Sequence, residues 1–315
     1  SNGKLSNRLS FSIPAGYTCP HAGKCHTFSD RVTGKLRDNP HGCSESLEYR
    51  CFAAMAEARF PTVRNARWHN FDQLKASRNI YVDQHPGSPE NYYLAMKDLI
   101  IASLDAQPHR DTVRIHEGGD FWTEHYMKAW MLVAKERPQI KKFYAYTKSL
   151  TMWYNLRNEI PSNFYLTASY GGNEDSMLIR HPDVYKRIAY VVYTEQEAAD
   201  LGLEIDHDDS HCFGDKPFAL LVHGSQPAGS DASNVMPRIV IKFGKSKVQQ
   251  MILELGREYT FGRDKGCDVV LPNVSVSREH ARLIVDETGA RVVDLGSQNG
   301  LYFQETRVQP ILIGT

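Results

Sequence analysis

Four thiols lie close together near the start of the chain, Cys19, Cys25, Cys43 and Cys51, out of six cysteines in 315 residues. Thiolate sulfur is the ligand that holds structural zinc or iron–sulfur clusters. The gaps between these cysteines are five, seventeen and seven residues, and no Cys-x2-Cys pair occurs among them. That spacing matches neither a zinc ribbon nor a ferredoxin run, so zinc, a cluster and unliganded core cysteines all remain open. Asp206-His207-Asp208-Asp209-Ser210-His211-Cys212 is a second concentration of ligand types, read either as a solvated loop or as a divalent-metal site. A third feature is Gly118-Gly119-Asp120. Glycine lets the backbone approach a ligand closely, and Asp120 can accept hydrogen bonds from an ammonium or sit near the cap of a following helix.

Regular elements must position these residues. Leu9–Ile13 alternates apolar and polar residues as a short strand and ends at Pro14-Ala15-Gly16; the cysteine loop follows. Helical text runs from Glu45 to Pro61, with Cys51 on the helix and Pro61 as its stop, and again over Glu90–Leu104. Strand text at 113–116, 143–147, 164–169, 189–194 and 218–224 alternates with helical text at 123–137, 149–159 and 195–202. Six strands separated mostly by helices predict parallel βαβ units, a barrel or part of one. In such folds ligands sit at the C-terminal strand ends. This gathers the cysteine loop, Gly118-Gly119-Asp120, Thr147-Lys148, Ser169-Tyr170-Gly171-Gly172 and His223-Gly224 into one expected site. Tyr146, Lys148 and His223 are candidate substrate contacts there, whereas Arg59, Arg64 and Arg67 read as a solvated helix face and loop. Residues 1–224 form this α/β domain and 225–236 (SQPAGSDASNVM) a linker. Residues 237–315 carry short strands between turn residues, the text of an all-β sandwich.

Lys plus Arg equals Asp plus Glu at 37 each, so charge does not indicate nucleic acid or anionic lipid as a partner. Apolar runs such as FALLV at 218–222 are too short to span a bilayer, and no membrane association is expected. SNGKLSNRLS lacks the apolar segment of a signal peptide, which places the chain in the cytoplasm. There, clustered thiols serve metal or redox chemistry more than disulfides. Residue 1 is Ser rather than Met, so a start lost upstream is also expected.

A cysteine loop after the first strand, followed by a second strand ending in Gly118-Gly119-Asp120-Phe121, resembles the radical S-adenosylmethionine (SAM) enzymes. The resemblance implies a partial (β/α)6 barrel, a [4Fe–4S] cluster on three cysteines, and SAM held partly by the glycine-rich strand end. It assigns Cys19, Cys25 and Cys51 as cluster ligands, with Cys43 as a fourth ligand, a redox partner or an incidental cysteine. Gly118, Gly119, Asp120 and Ser169 become the SAM-binding residues. The departures are the absent Cys-x3-Cys-x2-Cys pattern, Asp120 where that family has Glu, and Phe121 where it has Pro. Residues 1–230 as a whole resemble the phage gene product 88 proteins, through IPAGYTCP (13–20), CFAAMAEARFPTVRNARWHN (51–70), EGGDF (117–121), YAYTKS (144–149), ASYGG (168–172), EIDHDD (204–209) and HGSQPAG (223–229). A phage origin would make the compartment the host cytoplasm.

Residues 256–300 resemble a forkhead-associated (FHA) domain through Gly262-Arg263, Cys267-Asp268-Val269-Val270-Leu271, Ser277-Arg278-Glu279-His280 and Asp294-Leu295-Gly296-Ser297-Gln298-Asn299-Gly300. Such domains bind phosphothreonine on loops between strands, which implies a phosphorylated protein or peptide partner. Arg263, Ser277 and Arg278 are then the phosphate-facing donors and Asn299 a peptide-backbone contact, while His280 fixes a loop. The family pattern expects two strands beyond a segment like 308–314, so the sandwich reads as truncated. Two functions follow. One is a radical SAM-like iron–sulfur enzyme of unspecified substrate joined to a phosphothreonine-reading module. The alternative is a non-catalytic phosphoprotein-binding adaptor whose N-terminal domain is stabilised by structural zinc or a cluster.

Overall fold

The computed structural model describes residues 8–38, 49–224, 226, 232, 238–243, 247–253, 257–286, 289–303, 306–307 and 311–313. Cys43 and nearly all of the 225–236 linker lie outside the described residues. The chain divides into two compact units, Ser1–Asn234 and Val235–Thr315.

The first unit is α/β. Its strands and helices run β1 Leu9–Phe11, β2 Thr27–Ser29, β3 Leu36–Asp38, α1 Phe52–Arg59, α2 Pro61–Gln84, α3 Tyr93–Asp105, β4 Thr112–Ile115 and α4 Glu124–Glu136. They continue β5 Lys142–Thr147, α5 Leu150–Leu156, β6 Phe164–Ser169, α6 Ser176–Arg180, β7 Ile188–Val192, α7 Glu195–Asp200 and β8 Phe218–Leu221. Six of the strands form one sheet in the order β1-β4-β5-β6-β7-β8, and every neighbouring pair is parallel. A doubly wound sheet reverses its strand order at a switch point. Here the order never reverses, so right-handed crossovers send each connection to the same face.

Both faces of the sheet are buried. On one face Val113, Ile115, Phe143, Ala145, Phe164 and Leu166 pack with Trp130, Met127 and Val133 of α4 and with Met96 and Ile100 of α3. Trp130 and Phe143 are fully buried, and each large apolar side chain removed from water contributes about 1.5–3 kcal/mol. On the other face Tyr144, Ala189 and Phe218 pack with Cys212, Tyr146, Tyr165 and Phe213. The loop bearing Cys212 and Phe213 thus covers that face of the sheet.

Three local readings change. Pro61 begins a helix rather than only ending one: with no N–H to satisfy and a fixed φ, it opens the 24-residue α2. The helical text before it narrows to α1, with Cys51 at its N-cap. Inside the cysteine loop β2 and β3 form an antiparallel hairpin, too short to show an alternating pattern.

The second unit comprises β9 Arg238–Phe243, β10 Lys247–Ile252, β11 Glu258–Gly262, β12 Val269–Val270, β13 Ala281–Asp286, β14 Gly289–Asp294, β15 Tyr302–Phe303, β16 Thr306–Arg307 and β17 Ile311–Ile313. A five-stranded sheet, β12-β11-β13-β14-β17, accompanies the hairpins β9–β10 and β15–β16. Alternate residues Tyr259 and Phe261, and Ala281, Leu283 and Val285, face the core with Leu253 and Val269. Among the described residues no helix is long and apolar enough to cross a membrane.

Candidate functional site

In the α/β unit the strand ends gather as the topology requires. The cysteine loop leaves β1 through Ile13, whose N–H donates to Gly118 O at 3.0 Å. It turns at Gly16, at φ 76°, where a Cβ would lie 2.6 Å from Phe28 Cβ and from Thr27 O. The Gly16 N–H donates to Cys19 Sγ at 3.3 Å. The loop then runs along the end of β6, with Lys24 N–H donating to Gly171 O at 2.9 Å and Asn173 N–H to His21 O at 3.0 Å. On the β8 side, His223 packs on Phe52 of α1 at 4.9 Å between centroids.

Cys19, Cys25 and Cys51 are all partly exposed and lie within electrostatic reach of one another. Loss of solvation raises the Cys19 thiol well above its ordinary value; Asp120, Cys51 and Cys25 add to this, and the Gly16 amide opposes it. Cys51 is pushed up to about 12 by burial and by Cys25, against the Ala54 and Ala53 amides at the start of α1. Both are neutral thiols near pH 7 unless a cation arrives to favour thiolate. Among the described residues no three His, Cys, Asp or Glu side chains gather closely enough to hold a single metal ion.

Gly118 and Gly119 serve the chain's own packing. A Cβ on Gly118 would lie 2.5 Å from Arg67 Nη1. Gly119, at φ 90°, touches Ile13 and Thr18, at 2.5 and 2.6 Å from an added Cβ. Asp120 is buried and accepts from Phe121 N–H (2.7 Å) and Thr147 Oγ1 (2.6 Å) on one oxygen and from Lys148 N–H (2.8 Å) on the other. Burial pushes its carboxyl up to about 6, against the bonds from Thr147, Lys148 and Phe121 and the Lys148 charge. The N-cap of α4 is Thr123, which accepts from Tyr126 N–H, so Asp120 is not that cap. Lys148, itself 7% exposed, donates through Nζ to Ser169 O at 3.0 Å and Tyr170 O at 2.6 Å.

Arg64 and Arg67 are buried rather than solvated. Arg67 Nη1 donates to Ala53 O (2.9 Å) and to Glu57 Oε1 (2.8 Å), while Arg64 Nη1 donates to Glu57 O (2.6 Å). Glu57 Oε1 also accepts Ala15 N–H at 2.9 Å, so this network ties α1, α2 and the cysteine loop together. The signal was present: Arg67 lies three residues after Arg64 and seven before buried Leu74, on one helical face.

Within the 206–212 run Asp206, Asp209 and Cys212 are buried, whereas His207, Asp208 and Ser210 are exposed, so the solvated-loop reading holds for only part of it. Asp209, at φ 64°, accepts from Arg114 Nη1 (2.8 Å), Tyr144 OH (2.8 Å), Tyr146 OH (3.2 Å) and Arg8 Nη1 (3.3 Å). The loop is therefore keyed into the sheet by a carboxylate that the sequence marked only as part of a ligand-rich run. His211 bridges Asp206 Oδ1 (2.8 Å) and Glu204 Oε2 (3.2 Å).

In the all-β unit the four expected phosphopeptide residues lie on three linked loops. Arg263 N–H donates to Ser277 O (2.9 Å) and Asp264 N–H to Arg278 O (3.0 Å). Gly262 permits this closeness, since a Cβ there would meet Arg278 O at 2.0 Å. Ser277 Oγ accepts Gln298 N–H at 3.0 Å, which leaves its own proton to donate. Asn299 Nδ2 donates to Ser275 O at 2.7 Å, leaving Oδ1 as an acceptor. His280 Nδ1 accepts Ser277 N–H (3.1 Å), so Nε2, 3.3 Å from Gly300 O, carries the proton; His280 is a loop fastener. Arg263 and Arg278 are exposed and form no ion pair among the described residues.

Residues 1–238 match the gene product 88 family and residues 259–314 the FHA domain family. Two curated Corynebacterium proteins, each named oxoglutarate dehydrogenase inhibitor, are similar to this chain. The one from Corynebacterium efficiens is 37% identical over 82 residues, and the one from Corynebacterium glutamicum 35% over 82 residues. Each match covers 25% of this chain and 57% of the relative, so the chain spans little more than half the relatives' length. Among solved structures, an FHA domain from Chlamydia trachomatis is 28% identical, covering 24% of this chain and 78% of that one at TM-score 0.23. An FHA domain from Mycobacterium tuberculosis is 30% identical, covering 24% and 74% at TM-score 0.22.

Proposed function

The chain belongs to the gene product 88 family and carries an FHA domain, and from that premise we propose that it is a phosphothreonine-dependent binding protein. The FHA module reads a phosphorylated partner and brings the α/β unit to it. The observation that carries this reading is that Arg263 and Arg278, both exposed and without an ion pair among the described residues, lie on loops joined by backbone hydrogen bonds to each other and to Ser277, whose hydroxyl proton is available. A phosphate brings about −1.5 to −2 charge and several acceptor oxygens, which suits two Arg forks and a hydroxyl. Curated relatives named for inhibiting an enzyme favour an adaptor or inhibitor over a catalyst. The test is titration of a phosphothreonine peptide library against the parent chain and Arg263→Ala. Losing one charge-assisted contact weakens binding by about 1.5–3 kcal/mol, roughly ten- to a hundredfold. Equal affinity of the parent for phosphorylated and unphosphorylated peptides overturns the proposal.

A second reading concerns the α/β unit, and the three neighbouring thiols Cys19, Cys25 and Cys51 favour it. Cys19, Cys25 and Cys51 would hold a [4Fe–4S] cluster, in which each thiolate binds a different iron and the sulfurs need not converge on one point. Zinc is the alternative and would need a fourth ligand, such as Cys43. Held by these thiols, such a cluster would supply one-electron reductive chemistry towards SAM. On this reading Asp120 offers its less occupied oxygen to the SAM ammonium and Ser169 lies beside it. Gly118 and Gly119 act indirectly, by seating the cysteine loop. Anaerobic purification with iron, sulfide and zinc analysis decides it: about four irons per chain, retained in Cys43→Ser, supports three cysteine ligands. A colourless protein with one equivalent of zinc removes the cluster reading and leaves the adaptor.

A further inference from the structure

Among the described residues Lys148 Nζ forms no ion pair, although its charge acts on nearby Asp120. Its side chain is buried at the end of β5, and among the described residues the ammonium donates to two carbonyls at the end of β6, Ser169 O and Tyr170 O. An ammonium has three N–H donors, and the third has no partner among the described residues. The neighbouring carboxylate, Asp120, takes its bonds from Phe121 N–H, Thr147 Oγ1 and the Lys148 backbone N–H, none from Nζ. A buried ammonium with an unused donor is costly even beside a carboxylate that it does not bond, and a charged ligand would complete it.

The surroundings narrow the ligand. Gly171 and Gly172 donate their N–H groups to Asp175, Ser149 Oγ donates to Phe121 O, and Thr147 Oγ1 donates to Asp120. The half-buried Ser169 hydroxyl, on the residue whose carbonyl accepts from Lys148 Nζ, likewise forms no hydrogen bond among the described residues. One ammonium proton and one hydroxyl match a carboxylate, with one charge and two oxygens; a phosphate dianion would call for more donors. Gly172 packs against the Lys148 stem, where a Cβ would lie 3.1 Å from Lys148 Cβ, and against His21 O of the cysteine loop at 3.0 Å. The position is therefore beside the backbone of the cysteine loop.

We propose that Lys148, with Ser169, anchors the carboxylate of a small-molecule ligand at the C-terminal edge of the parallel sheet. This rests neither on the phosphopeptide reading nor on the thiols holding a cluster. The experiment uses the full chain at constant ionic strength, titrated with a panel of mono- and dicarboxylates and the amide of each, read by thermal unfolding of the α/β unit. Saturable stabilisation by at least one carboxylate and not by its amide is expected in the parent. Lys148→Met, whose apolar stem fills the same space, should weaken that response ten- to a hundredfold. Ser169→Ala should weaken it less and test the same site without touching the cation. Identical responses to carboxylates and amides in the parent overturn the proposal. So does a carboxylate response that survives Lys148→Met, because it then arises elsewhere, for instance at Arg263 and Arg278.

Discussion

Replacing Arg67 with methionine keeps the stem and removes the charge from the most buried ion pair beside the thiols. Arg67 is 4% exposed and its partner Glu57 fully buried; their N–O distance is 2.8 Å. Glu57 Oε2 already has no partner among the described residues, so loss of Arg67 leaves a buried carboxylate held only by the Ala15 N–H. Breaking one side of such a pair costs about 3–5 kcal/mol, against a total of about 5–15 kcal/mol for a typical domain. At about 2–4 °C per kcal/mol for a unit of this size, the midpoint falls by roughly 6–20 °C. All four tryptophans, Trp68, Trp122, Trp130 and Trp153, lie in the α/β unit, so fluorescence-monitored unfolding reports that unit alone. Burial raises the Glu57 carboxyl and Arg67 opposes the rise, so without Arg67 it climbs further. A raised acid favours the folded state below its unfolded value of about 4.3 and loses that contribution as pH rises through the folded value. The deficit of Arg67→Met should therefore be smallest near pH 4 and widen towards neutrality. Glu57→Gln in the same chain should restore much of it. A loss below about 1 kcal/mol at pH 7, or one that does not change with pH, refutes the reasoning.

Two further outcomes follow from the same geometry. Burial alone would lower His211, but the hydrogen bonds to Asp206 and Glu204 outweigh it and leave its pKa raised. Its contribution is present below the unfolded value of about 6.5 and is lost as pH rises through the folded value; unfolding midpoints from pH 5.5 to 8.5 should fall less steeply in His211→Gln, and equal slopes would contradict this. Gly262→Ala places a methyl 2.0 Å from Arg278 O. It should cost about 1–3 kcal/mol of the FHA unit's stability and weaken phosphopeptide binding though no phosphate ligand is altered; calorimetry with a phosphothreonine peptide checks both.

The arrangement of the parallel sheet was legible because its strands are short apolar runs between helical segments and glycine turns. Sequence alternation alone placed the cysteine loop, Asp120, Lys148 and Gly171-Gly172 at one edge, and their hydrogen bonds now join them there. The β2–β3 hairpin was not legible, since three-residue strands leave no period to read. Buried charge was the larger omission. Arg64, Arg67, Arg114 and Asp209 have side chains that sequence rules assign to solvent, and only tertiary partners from α1, β5 and the 206–213 loop make their burial tolerable.

The glycine pair shows why a motif is weaker evidence than its contacts. Gly118-Gly119 suggested a backbone cleared for a ligand, yet the space beside Gly118 holds the Arg67 guanidinium and that beside Gly119 holds Ile13 and Thr18. The pair is required whether or not SAM binds, because any side chain there would displace either the Glu57 network or the base of the cysteine loop. Asp120 differs. Its second oxygen holds one hydrogen bond, and a carboxylate oxygen accepts two. Asp120 and Lys148 are an acid and an ammonium buried near one another, each with bonding capacity left unused among the described residues. A ligand carrying both an ammonium and a carboxylate would complete the two together, whereas a purely structural edge would gain nothing from either vacancy. Asp120→Asn compared with Lys148→Met against the same carboxylates and their amides separates these cases. Loss of amine-bearing ligands alone in the first, and of all carboxylates in the second, is the pattern that two complementary anchors require.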